Sequence, residues 1–167
     1  AVGVNVQTAT VSATIPDTVA VTAGGTLTLG TAANTDGSVS ADGSAVGKEG
    51  AQASQVGIGA AVAVNKVAAS NVARLGDNTH SLGGLTIEAL KTDVAKQLAT
   101  PSVVATRDDD FSTTAKSGAG ASKVGIAGSL ALNLIDTESS ARIAGGANVT
   151  ITGTGAVSLS AEGSGGV

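Results

Sequence analysis

The chain has 167 residues, a net charge of −4, 24 glycines and no Cys, Met, Trp or Tyr, and Phe111 is its only aromatic residue. A balance of 9 basic against 13 acidic residues argues against nucleic acid, whose phosphates are bound by clustered Lys and Arg, and a single aromatic offers no stacking platform for bases. No apolar run reaches the ~20 residues of a transmembrane helix, and a membrane barrel needs aromatic girdles that this composition cannot build, so no membrane insertion is expected.

With 42% hydrophobic residues in a strong pattern, the chain is expected to fold, using Val, Ile, Leu and Ala as small core units. That suits a thin, regular core better than a thick globular one. The absence of Cys leaves the redox compartment open. A chain that starts at Ala1 with no signal peptide reads as a segment of something longer.

In chain order, the first element is the alternating line "AVGVN", which ends at Asn5. It is followed by "SATI" to Ile15 and "GGTLTL" to Leu29. From Ala33 to Ser54 runs a Gly- and Ser-rich tract with Asp-Gly turns at Asp36 and Asp42, read as turns and weak strands. Within it "GSAVGKE" puts Lys48 after glycines, but Gly43 and Gly47 stand too close for a phosphate loop and Glu49 replaces the magnesium-binding hydroxyl.

The line "VGIGAAVAVN" then covers Val56 to Asn65, with "VARL" to Leu75 and "GGLTIEA" to Ala89. A near copy, "VGIAGSLALN", covers Val124 to Asn133, with "SARI" to Ile143 and "GGANVTITG" to Gly153. Asn5, Asn65 and Asn133 align at separations of 60 and 68 residues, so one unit is written nearly three times. The chain reads as one segment, residues 1–167, with units at roughly 1–48, 49–116 and 117–167.

Period-two alternation of β-branched residues between glycine clusters predicts strands. Val56, Ile58, Val62 and Val64, like Val124, Ile126, Leu130 and Leu132, are expected to face the interior. Truncating Leu130 or Leu132 to Ala should then cost about 2–5 kcal/mol. The opposite face carries Gly, Ala and Ser, small enough for another backbone layer to approach closely. Short strands and glycine turns from Ala141 to Ala161 suit a coil that bends several times per circuit. The fold expected is all-β, a parallel β-solenoid, with a stacked β-sandwich as the alternative. Ile87, Leu90, Val94 and Leu98 fit a helical spacing before Pro101, whereas repeat logic gives strand and loop there.

Candidate sites are few. Asp108, Asp109 and Asp110 offer hard carboxylate oxygens suited to calcium, against the reading of an exposed, partly paired loop in which Asp109→Ala costs under about 0.5 kcal/mol. Asn5, Asn65 and Asn133 are read as structural, turning inward to hydrogen-bond backbone at a coil corner. Several coils are expected between them, so the three need not form a ladder. Asp136 and Glu138 would share a strand face, but position 136 is Ala68 in the second unit, so the acids fall outside the repeat frame. His80, in "DNTH", is expected in a solvated turn. With one His and no aromatic cleft, no catalytic constellation stands out, and Asn148 to Thr150, a glycosylation sequon, reads as the start of a strand.

The lines "VGIGAAVAVN", "ARI" and "GG-LTI-A" resemble repeats of giant bacterial filamentous adhesins and autotransporter passengers, including haemagglutinin-like and leukotoxin-like ones. The resemblance implies a cell-surface or secreted rod that displays binding sites away from the cell; the lack of a catalytic motif, metal cluster or aromatic cleft separately leads to the expectation of no enzymatic role and no cofactor other than the calcium considered at Asp108 to Asp110. The rod's partners would be neighbouring repeats of one parent chain, end-to-end copies of itself, or a host or surface receptor. A self-assembling extracellular filament or matrix subunit is the competing class. A stalk segment would stay monomeric at high concentration, whereas a filament subunit would polymerise.

Overall fold

A computed structural model describes residues 1–45, 56–91, 109–121 and 123–163. Among these the chain is all-β, with nine strands and no helix. The first sheet holds the three long strands β1 (Val2–Ile15), β4 (Val56–Leu75) and β7 (Val124–Ile143), in that order. The second holds β2 (Val21–Ala33) and β5 (Thr79–Lys91), with the short β8 (Asn148–Ile151) and β9 (Val157–Ala161) both paired to β5. The third pairs β3 (Gly37–Asp42) with β6 (Phe111–Lys116). Every strand pairing is parallel.

The chain therefore visits the first, second and third sheets in turn and then returns to the first, one strand further along. One sequence unit makes one circuit. The strands carrying Asn5, Asn65 and Asn133 are direct neighbours in register, as are those carrying Ile15, Leu75 and Ile143. The expectation of several coils between the asparagines is corrected: they occupy adjacent strands.

The long strands of the first sheet are opposed by two partners in succession. Toward their C-terminal ends Ala73 and Leu75 pack with Leu29, Leu82, Leu85 and Ile87 of the second sheet, each Leu or Ile contributing about 1.5–3 kcal/mol when fully buried. Nearer their N-terminal ends Ala61 and Ala63 meet Ala41 of the third sheet, with Val39 and Ala115 beside them. This second core is thin because the opposing backbone comes very close. A Cβ added at Gly59 would stand 2.1 Å from the Gly118 carbonyl oxygen, so no other residue fits without moving the third sheet away.

That proximity overturns the expected orientation of the alternating strands. Gly57, Gly59, Ala61 and Ala63 are buried, whereas Val56 and Ile58 are exposed and Val62 and Val64 half-buried. On β7, Leu130 is 56% and Leu132 40% exposed, and Val124 and Ile126 also lie on the surface. On β4 the small face is the interior and the large face the exterior, whereas on β7, an edge of the sheet, Gly125, Ala127, Ser129 and Ala131 are exposed as well. Truncating Leu130 or Leu132 therefore removes surface, and the large penalty belongs to Leu82, Leu85 and Ile87, which are fully buried.

One further correction follows from the register. In the second sheet Val21, His80 and Val149 occupy one row, and Leu85 aligns with Leu27 and Val157. Gly83 thus packs against Gly153 and Gly155, and not level with Gly145 and Gly146 as the matched "GG" pairs suggest. Of the segment with helical spacing, Ile87 to Lys91 lies in β5, as the repeat logic expects, and its remainder, Val94 and Leu98 with Pro101, falls outside the described residues.

Candidate functional site

Apart from His80, the buried polar groups among the described residues gather between the two apolar cores, where the chain leaves the second sheet and enters the third. Asn65 is fully buried. Its Oδ1 accepts a hydrogen bond from Asn5 Nδ2 at 2.7 Å, and its Nδ2 donates to the Gly37 carbonyl at 3.0 Å. One circuit later Asn133 Oδ1 accepts from the Thr113 hydroxyl, and its Nδ2 reaches the Phe111 carbonyl at 3.5 Å. Gly37 and Phe111 are register partners, so each asparagine addresses the first residue of the third-sheet strand that the preceding unit contributes.

A second polar row lies six residues further along the long strands. Asn71 Nδ2 donates to the Leu90 carbonyl at 2.8 Å, and Ser139 Oγ donates to the Ala89 carbonyl at 3.0 Å. Asn71 and Ser139 are themselves register partners. One row fastens the end of the second sheet and the other the start of the third. Backbone groups at a bend cannot all join sheet ladders, and side-chain amides and hydroxyls satisfy them.

Between these rows stand Lys91 and Asp109. The Lys91 ammonium pairs with Asp109 Oδ2, and the Thr35 backbone N–H donates to Asp109 Oδ1 at 2.9 Å. The lysine side chain is 11% and the aspartate 1% exposed. Of the acidic run, then, Asp109 is a buried ion-pair member and not an exposed loop residue. Asp110 is exposed, and its N–H donates to Asp36 Oδ1 at 2.9 Å. Asp108 falls outside the described residues. The ammonium sits where a cation bound to Asp109 would sit, and no group of three His, Cys, Asp or Glu gathers among the described residues.

Asn71, Lys91 and Asp109 line a cavity of about 40 Å³, far below the ~300 Å³ of the smaller ligand pockets. Asp136 and Glu138 do share the outer face of β7, beside Ala68 and Ser70, along a shallow groove of about 150 Å³. His80 is not in a solvated turn. It is fully buried, with Nε2 3.2 Å from the Gly76 carbonyl, in a row otherwise filled by Val21 and Val149. The alternation of His80 with Leu82, both inward, carries that information in the sequence. Asn148 begins β8, and Lys48 and Glu49 fall outside the described residues.

The turns between first and second sheets form a separate polar stack. Asp17 Oδ1 accepts from the Asp77 N–H at 2.8 Å and from Arg74 at 2.5 Å, and Asn78 Nδ2 donates to the Asp17 carbonyl at 3.0 Å. The Asp77 N–H, and after it the Arg74 guanidinium, hold the Asp17 carboxyl below the usual aspartate range. Asp42 is also lowered, by hydrogen bonds from Ser44 and more weakly by the charge of Lys116. All these contacts tie one circuit to the next or close a bend. Compared with family models, curated proteins and solved structures, the chain finds no match.

Proposed function

We propose that this chain is a structural segment of a large bacterial cell-surface or secreted adhesin. In this reading it is a parallel β-solenoid stalk that holds binding sites away from the cell, works outside the cell, needs no cofactor and has no catalytic activity of its own. The observation that carries the proposal is the stacking of three sequence units in one register, with Val4, Val64 and Leu132 in one row and Asn5, Asn65 and Asn133 in the next. Side chains inside the bends are used up in holding successive layers together, which is the task of a scaffold. Further repeats in a parent chain would continue the stack by about 4.8 Å each, so reach requires a very long chain.

The filament-subunit reading draws on a different observation: β1 and β7 are the edges of the first sheet, and parallel edges accept further strands. Electron microscopy of a chain carrying additional tandem units tests the stalk. A particle of constant width that lengthens by about 4.8 Å per unit supports it. Growth by about 30 Å per unit, the diameter of a small domain, overturns it. Concentration-dependent, open-ended polymers of the chain would favour the filament.

A further inference from the structure

The outer face of the first sheet is divided. In its polar half the outward rows read Thr8, Ala68, Asp136 and Thr10, Ser70, Glu138, an ordinary wet surface. In its apolar half they read Val2, Val62, Leu130 and Val4, Val64, Leu132. Ile58 beside Ile126 extends the apolar half toward the strand starts, and Val6 and Leu134, on either side of Lys66, carry it toward the boundary. The exposed side chains of this half are 40–75% accessible, and nothing among the described residues covers them. A contiguous apolar surface of this kind marks an interaction site.

We propose that this half-face is a self-association surface on which a second copy of the chain packs, first sheet against first sheet, about a two-fold axis. Its area fits: the exposed Val, Ile and Leu side chains present roughly 800 Å², the share each partner contributes to a standard stable interface. Its shape fits, because a flat sheet face packs best on another at about 10 Å, with strands nearly aligned. A closed two-fold pair also brings each apolar row against apolar rows and leaves both polar halves in water.

The chemistry selects this occupant over others. Lys66 is the one charged side chain in the apolar rows, and its stem can lie along the face with the ammonium at the rim. A lipid surface is recognised by aromatic and multiple basic residues, and this face has no aromatic residue. The inference rests on the face geometry and does not require the stalk reading.

Sedimentation and light scattering over a wide concentration range test it, with far-ultraviolet circular dichroism as the fold control. The expected result is a discrete dimer that becomes monomeric in Leu132→Glu and in Val4→Glu, whereas Thr10→Glu on the polar half leaves it intact. Because the chain has no cysteine, Val62→Cys near the patch centre provides a second measurement that does not depend on the charged variants folding. It should yield a disulfide-linked dimer under mild oxidation. A wild-type monomer at all concentrations would overturn the proposal, as would a dimer that survives both Glu variants. Open-ended polymers would assign association to the strand edges instead, and a monomer that binds neutral phospholipid vesicles would assign the face to lipid.

Discussion

Asn5 donates a 2.7 Å hydrogen bond to Asn65, a residue 60 positions further along the chain. The bond joins the same position of two successive circuits, and Asn65 passes the connection on to the Gly37 carbonyl. An amide is well suited here, since it accepts from one layer while donating to the bend.

Replacing Asn65 by Ala should strand the Asn5 amide and the Gly37 carbonyl in a buried site. The expected loss is about 1–3 kcal/mol, read as a lower midpoint in urea with an unchanged slope. Asn65→Asp should do worse, because it sets a carboxylate against a carbonyl oxygen. A variant as stable as the parent would mean that the amide is solvated.

The Lys91–Asp109 pair makes a different forecast from the surface reading of the acidic run. Removing one partner, as in Asp109→Ala, should cost about 3–5 kcal/mol, because it leaves the other charge buried and alone. The double replacement Lys91→Met with Asp109→Leu should recover most of that loss. A denaturation cycle over the four proteins checks this, and additive effects would contradict the buried pair.

Acid should weaken the turn stack. Asp17 titrates below the usual aspartate range in the folded chain, so its contribution is fully present above about pH 4, the unfolded value. It is lost as pH falls through the lower folded value. Asp17→Asn should therefore flatten part of the acid limb of a stability–pH profile and leave the neutral region nearly level. An unchanged acid limb would show that the carboxylate is not held by Asp77 and Arg74.

The all-β character and the gapless alignment of the three long strands were legible because alternation and the aligned asparagines repeat, but that these strands are direct neighbours in register was not. The choice of interior face was not. Both faces of "VGIGAAVAVN" are apolar or small, so size suggested that Val and Ile point inward. What decides the matter is the distance to the opposing layer, visible at Gly59 against the Gly118 carbonyl and not in the strand itself. His80 misled for a related reason: polar neighbours suggested a turn, while its alternation with Leu82 already placed it inside. The second-sheet alignment slipped because the third unit interposes Thr152 to Ala156 between β8 and β9. The buried Asp109 left no local signal, since its partners Thr35 and Lys91 lie 74 and 18 residues away.

That one sequence unit makes one circuit can be read most directly by paired cysteines on the outer face. Thr8 and Ala68 are register partners in adjacent strands, at a spacing of about 4.8 Å that lies within disulfide reach. Thr8→Cys with Ala68→Cys should close an intramolecular disulfide, seen by intact mass as the loss of two hydrogens, and so should Ala68→Cys with Asp136→Cys. Thr10→Cys with Ala68→Cys, one row out of register, should stay reduced. Failure of both in-register pairs, or equal closure of the out-of-register pair, would contradict the stacking of unit upon unit.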